Sequence, residues 1–486
     1  MQKQLLNPLK IGSLTALFIS FTACQAIPKA NTDPVIAKPN IATNTPYHVY
    51  DDKTLSSSDQ PSIASQHWQD FYHDDKLKQL ITLALDNNKE INTAILNLQK
   101  SRATYQITDN SNTPTVGATG IVNHSTIENQ DKNPRTNYQI NLAMSAYEFD
   151  FWGKIRNTKQ AALQNYLSSA FAKDTVKIGI ISSVAKSYVA YSYNLAKLQL
   201  ALETLKNREE SLQINRQRFK AGLDSELSSL QAQALVDATK ISIANAKTAL
   251  LQNQNALRQL VGVAFDPELL PKTPVSKITN NQIFSTGLPS ELLLYRPDLR
   301  SAEHALKARG ADIQVARANF FPNIRLSATT GIASTELHNL FASGTFNFGI
   351  TPTINLPIFN RNLGVQYEVK KIDEQIMLSN YEKSIQSAFK EVNDILAIRA
   401  TIHQQIDAYK SMKQANDKNF DIANARFHTG LDNYLSVLDA LRNQFSTEHN
   451  LLTAKQKLID SQIELYQALG GGMGYDQKPK FEKQAN

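Results

Sequence analysis

The chain has 486 residues, a net charge of +7 and 42% hydrophobic residues with only 18 glycines, the composition of an ordered protein rather than a disordered one. Its basic residues are spread along the sequence with no Lys/Arg cluster interleaved with aromatics, which argues against a nucleic-acid partner. One cysteine, nine scattered histidines, no Gly-rich phosphate loop and no His or Cys pair at ligand spacing leave no catalytic centre, metal site or cofactor to assign.

At the N-terminus Lys3 and Lys10 precede an apolar run, 11–21, too short to span a bilayer as a helix. This is the layout of a secretory signal peptide, taken as residues 1–23. The run closes on Phe21-Thr22-Ala23-Cys24, and Cys24 is the sole cysteine, so no intrachain disulfide is possible. The quartet resembles the lipobox of bacterial lipoproteins, although Phe21 stands where Leu is preferred. That resemblance implies a lipid on Cys24, and Gln25 in place of Asp implies the outer membrane. Residues 24–75 are expected to form an extended leader, rich in Pro, Asn, Thr and Ser as far as about 65. No later segment reaches 18 consecutive apolar residues, so no transmembrane helix follows the signal.

The remainder repeats itself at a constant offset of 208. Arg218-Phe219-Lys220-Ala221-Gly222-Leu223-Asp224 returns as Arg426-Phe427-His428-Thr429-Gly430-Leu431-Asp432, and Pro114, Phe151 and Val184 return as Pro322, Phe359 and Val392. A register kept without gaps over most of a chain indicates two copies of one structural unit. Repeat 1 is assigned to 76–270, repeat 2 to 284–472, and 473–486 to a C-terminal tail.

Each copy is predicted to open with a helix. Pro297 and Asp298 suit a first helical turn, and Asn88, Lys89 and Glu90 stand at the same offset. Next come alternating segments. Tyr138, Ile140, Leu142, Met144 and Ala146 alternate with polar or small residues, as do Phe346, Phe348, Ile350, Ile354 and Leu356. Period two over ten residues is a strand with one apolar face. A less regular strand follows each matched proline, giving β-hairpins at 113–149 and 321–358. Long helical hairpins at 156–262 and 364–470 complete the copies, with Ile181, Val184, Tyr188, Tyr191, Leu195, Leu198, Leu202 and Leu205 as one coiled-coil seam. A helix over 156–220 is about 100 Å long, too long for a globular domain.

Four strands with one lipid-compatible face cannot close a barrel alone, and an open edge is not viable in hydrocarbon. Two chains would give a plugged barrel, and three would contribute twelve strands and leave room for a channel.

At this point the chain resembles the TolC/OprM-type outer-membrane factors, in particular the efflux lipoprotein branch. The match rests on Leu288-Pro289-Ser290-Glu291-Leu292-Leu293, Arg296-Pro297-Asp298, Phe321-Pro322-Asn323-Ile324-Arg325-Leu326, Glu148-Phe149-Asp150-Phe151-Trp152-Gly153 and both Arg-Phe-x-x-Gly-Leu-Asp turns. The resemblance implies an α+β membrane protein: a homotrimer whose twelve-stranded barrel in the outer membrane is continued by a long periplasmic α-helical barrel. It implies no enzyme. Instead it implies the exit duct of a tripartite drug efflux pump, docked through a periplasmic adaptor (membrane fusion protein) to an inner-membrane transporter of the RND type. Export of proteins through a type I system and heavy-metal efflux are the alternatives on the same fold.

The resemblance also carries over a gate. Leu435, Asp439 and Arg442 would close the periplasmic tip, and their spacing puts them on one helix face. In a trimer Asp439 would form a ring of three carboxylates, while Arg442 would pair with an acid on a neighbouring helix. The tip turns, with Arg218, Gly222 and Asp224 in the first and Arg426, Gly430 and Asp432 in the second, are the expected adaptor contacts. Gln231 and Ala234 stand where the second copy has Asp439 and Arg442, so the gate is expected only in the second copy.

Overall fold

The structure, a computed structural model, describes residues 55–56, 66–125, 135–279, 284–285 and 295–472. The signal peptide, Cys24, most of the leader and the tail lie outside the described residues. The chain divides into two compact units. Among the described residues one comprises 100–167 and 304–380, and the other 66–99, 168–303 and 381–472 with the short 55–56 strand.

The elements in chain order are β1 (Leu55–Ser56), α1 (Trp68–Phe71), α2 (Asp75–Asn87), α3 (Lys89–Asn110), β2 (Val116–Ser125), β3 (Arg135–Glu148), α4 (Lys154–Lys220), α5 (Glu226–Val261), β4 (Phe284–Ser285), α6 (Pro297–Ala318), β5 (Asn323–Ser334), β6 (Phe346–Asn355), α7 (Arg361–His428) and α8 (Tyr434–Ala468). Moving α3 along by 208 places it on the bounds of α6, and α4 and α5 land within one residue of α7 and α8.

In the first unit the two β-hairpins join into one antiparallel sheet of order β2-β3-β5-β6. Register explains its chemistry. Val116, Ala118 and Val122 lie opposite Met144, Leu142 and Tyr138. Ile140 continues to Ile332, and Ala328, Thr330 and Ile332 face Ile350, Phe348 and Phe346. Since side chains alternate across a strand, these residues share one face. The opposite face carries Thr119, Asn123, Asn137, Gln139, Asn141, Thr329, Gly331, Asn347 and Gly349. The alternation predicted to run through Ala146 stops at Met144. A register shift between Met144 and Tyr147 inserts an extra residue, and that bulge restores Tyr147 to the apolar side opposite Leu326.

The second unit is helical apart from the two-residue parallel bridge of β1 with β4, which the alternation pattern did not predict. The leader expected up to residue 75 is already ordered from 66. Trp68, Phe71 and Tyr72 are buried, Phe71 stacks on Tyr466 at 4.1 Å, and Asp74 caps α2 through the amides of Lys76 and Leu77. The aromatic residues outweigh the polar composition around them, because burying such rings against a helix end is strongly favourable.

On α7 a seam at the same three-and-four spacing is buried at Ile385, Ala388, Val392, Ile395, Ile402 and Ile406, with Tyr409 partly buried at its end. On α4 the seam departs from prediction after Tyr188. Burial runs through Ser192, Ala196, Ala201, Arg208, Leu212 and Asn215, while Leu202 is 46% exposed. Small side chains at 192, 196 and 201 allow close helix approach, and Leu202 turns outward there while Leu205 still packs against the core.

Candidate functional site

Each long helix pair ends in a turn built the same way. Gly222 and Gly430 take φ of 72° and 75°, the left-handed region that a side chain disfavours. The Leu223 amide donates to the Arg218 carbonyl and that of Gly222 to Phe219, both at 2.9 Å. Leu431 to Arg426 and Gly430 to Phe427 repeat the pattern at 2.9 and 3.0 Å. Paired bonds of this kind satisfy the carbonyls left over at a helix C-terminus.

The charged residues of the two turns are used differently. Arg426 forks onto Asp432, Nε to Oδ2 at 2.7 Å and Nη2 to Oδ1 at 3.1 Å. Arg218 stands 3.9 Å from Asp224 and lies over the Phe427 ring at 4.7 Å. Asp224 instead accepts from the Ser225 amide and the Ser228 hydroxyl at the start of α5. All of the expected tip residues therefore shape the turns, and Leu223 and Leu431 beside them are exposed.

Just beyond the second turn, Leu435, Asp439 and Arg442 fall on the outer face of α8, all exposed. Arg442 Nη1 lies 3.8 Å from Asp439 Oδ1, so within one chain the arginine's partner is its own neighbour one turn back rather than an acid on another helix. Tyr434, Val437, Leu438 and Leu441 on the inner face are buried with Phe427, Leu212, Leu235 and Val236. That core orients the three predicted gate residues outward.

In the sheet unit, the strand ends nearest the long helices carry exposed aromatics. Trp152 stacks on Phe321 at 4.6 Å and donates from Nε1 to the Pro322 carbonyl at 2.8 Å. Phe149 lies 5.3 Å from Tyr147, and Phe151 and Phe359 are open to the surroundings. Asp150 caps α4, accepting from the amides of Ile155 and Arg156 at 3.1 and 2.8 Å. The motif from Glu148 to Gly153 is thus a strand-to-helix joint with an aromatic collar.

Two arginines were missed as structural centres. Arg296 bonds Asp298 through Nε and Nη2 at 3.0 and 2.8 Å, and reaches Glu391 at 2.7 Å and the Ala468 carbonyl at 2.9 Å. Burial alone would lower its guanidinium, but the bonds to Asp298 and Glu391 outweigh that and hold it above the usual range. Arg208 is 4% exposed within the core below the turns. It stands between Leu205 and Leu212 at seam spacing, which is the signal that marks it in the sequence.

The profile of the family described as outer membrane efflux protein matches residues 80–263 and 288–471. The chain is 36% identical over 431 residues to the toluene efflux pump outer membrane protein TtgC of Pseudomonas putida, covering 87% of this chain and 89% of that one. It is 33% identical over 463 residues to the cation efflux system protein CusC of Escherichia coli, covering 93% and 99%. Among solved structures, the open state of the Neisseria gonorrhoeae MtrE outer membrane channel superposes with a TM-score of 0.81 at 32% identity, covering 93% of this chain and 99% of that one.

Proposed function

This chain belongs to the outer membrane efflux protein family, whose members are channels and not enzymes, and from that membership we propose that it is the exit duct of a tripartite pump for small molecules. The observation that carries the reading is the four-stranded sheet. One face is predominantly apolar, the other is lined mainly by Asn, Thr, Gln and Gly, and among the described residues β2 and β6 are the edge strands of the sheet.

A sheet of this kind is stable in hydrocarbon only when its edges are paired, with the apolar face toward lipid and the polar face toward a water-filled lumen. Three copies pairing β6 with the next β2 give twelve strands, enough for an open channel. The collar of Trp152, Phe151 and Phe359 suits the interface between lipid and water. The duplication reading is supported by the two matched segments, since 80 and 263 become 288 and 471 on adding 208.

The duct is passive and works with a periplasmic adaptor, which the turns at Gly222 and Gly430 contact, and an inner-membrane transporter of the RND type. Leu435, Asp439 and Arg442 form its constriction, and Cys24 carries the lipid that assists anchoring in the outer membrane. The relative named for toluene efflux favours small organic cargo.

A deletion strain tests this. Loss of the gene is expected to raise intracellular accumulation of small organic toxicants, with the protein recovered as heat-modifiable trimers in outer-membrane fractions. Unchanged accumulation of organic compounds together with sensitivity to heavy-metal cations would move the cargo to metals. Absence from the outer membrane would overturn the duct.

A further inference from the structure

We propose that Arg208 is the positioning residue of the constriction, its guanidinium tying the turn of α8 that bears Asp439 and Arg442 to both helices of the first hairpin. The inference rests on the constriction lying on α8, as proposed above.

The geometry is specific. From α4, Nη1 donates to the Thr239 hydroxyl at 2.5 Å and to the Leu235 carbonyl at 3.4 Å, both on α5. Nη2 donates to the Leu441 carbonyl on α8 at 3.4 Å. The plane of donors is completed by Phe445, whose ring lies 5.1 Å from Cζ. One side chain thereby joins three helices. Thr239 in turn donates to the Leu235 carbonyl at 2.7 Å, so its lone pairs are aimed at the arginine.

A cation in such a place is costly. Among the described residues no carboxylate pairs with Arg208, its Nε has no hydrogen-bond partner, and its charge is opposed only by carbonyl and hydroxyl dipoles and one aromatic face. From the helix packed against it, Tyr434 favours its charge and Arg442 repels it. For packing alone a Met or Leu would fill the site without desolvating a charge. What only a long, forked side chain does is reach across to α8 while remaining bonded to α5.

The position 208 residues later shows what the arginine adds. Asn416 donates from Nδ2 to the Thr447 hydroxyl at 2.8 Å and to the Asn443 carbonyl at 3.4 Å. Thr447 and Asn443 are the counterparts of Thr239 and Leu235 at the same offset. The hairpin cross-link is therefore present twice, and asparagine serves it within its own hairpin. Arg208 makes that cross-link and extends it to a third helix, at the carbonyl of Leu441. That residue is buried between Asp439 and Arg442 on the opposite face of the same turn. Holding this carbonyl fixes how far the constriction projects from the first hairpin.

The test is single-channel conductance of purified trimers in planar bilayers, read beside their heat stability on gels. Asp439→Ala serves as the reference for the constriction itself. Arg208→Met is expected to raise conductance at least twofold with trimers intact, Arg208→Lys to return it most of the way to wild type, and Thr239→Val to give a smaller rise. Wild-type conductance in Arg208→Met trimers while Asp439→Ala conducts more would overturn the inference and leave the constriction standing. A loss of heat stability with no change in conductance would overturn it too, as a packing role. Unchanged conductance in both variants removes the constriction from this turn and the inference with it. Should Arg208→Met fail to assemble, Thr239→Val decides alone, and wild-type conductance in it overturns the inference.

Discussion

Arg426 and Asp432 close a two-bond fork across the turn at Gly430, whereas Arg218 and Asp224, at the matching places in the first turn, stand 3.9 Å apart and bond elsewhere. A repeated motif has thus been put to two uses. In the second turn the ion pair clamps the loop, and in the first the aspartate starts the following helix while the arginine lies on Phe427.

The clamp has a pH signature. The bond from Arg426 holds the Asp432 carboxyl below its usual range, so its contribution is present above that range and is lost as pH falls through the lowered value. Amide exchange at Leu431, whose N–H donates to the Arg426 carbonyl at 2.9 Å, is expected to be protected at pH 6 to 8 and several-fold less so below about pH 4. Asp432→Asn should show the unprotected behaviour throughout. Asp224→Asn should leave the turn protected and instead loosen the amides around Ser225. Equal effects in both turns would contradict this division.

Arg296 predicts a large stability effect far from either turn. It is bonded to two carboxylates and the Ala468 carbonyl, with only 13% of its side chain exposed. Removing the arginine leaves Asp298 and Glu391 unpaired, and since their side chains are 35% and 40% exposed, solvent screening reduces the cost from that of a fully buried pair to about 2 kcal/mol. Arg296→Met is expected to lower the urea midpoint of detergent-solubilised protein accordingly. Arg296→Lys should recover only part, because an ammonium cannot serve both carboxylates in a planar fork. A change below about 1 kcal/mol would show that water already reaches the site.

Asp460 works in the opposite sense. Burial raises its carboxyl to about 6, with Lys186 and Lys197 offsetting part of that, and its Oδ1 has no hydrogen-bond partner among the described residues. A raised acid favours folding while protonated, so stability is expected to fall as pH rises from about 4 to about 6 and then to level off. Asp460→Asn keeps the shape and removes the charge. It should abolish that slope and stabilise the protein by about 1 to 2 kcal/mol at pH 7. Thermal melts of both proteins from pH 4 to 8 read the difference, and parallel curves would show that Asp460 ionises freely.

Much of the fold was legible because its signals are local and periodic. Alternation from Tyr138 and from Phe346 announced the sheet, and unbroken helical spacing between Pro357 and the end of α8 announced the second hairpin. Where prediction failed, the deciding contact came from elsewhere in the chain. The bulge after Met144 depends on pairing with Leu326 and Ala328. The helical start at Trp68 depends on Tyr466. The drift of the α4 seam onto Ser192 and Ala196 depends on what packs there, since leucine spacing alone describes a helix with an equally good partner on either side.

The candidate constriction divides along the same line. Its residues came from the family resemblance, with which the common helical face of Leu435, Asp439 and Arg442 agrees, and the turns were legible because Gly222 and Gly430 mark a backbone that few other residues adopt. The sequence alone determined the kinds of element, their order and their duplication, since these follow from periodicity and backbone preference over short stretches. Only the tertiary structure decided that Arg208 meets Leu441 and that Arg296 gathers Asp298, Glu391 and Ala468. Those partners lie many tens of residues away, and the energy of a buried charge depends on which groups the fold brings to it, a quantity that no local pattern contains.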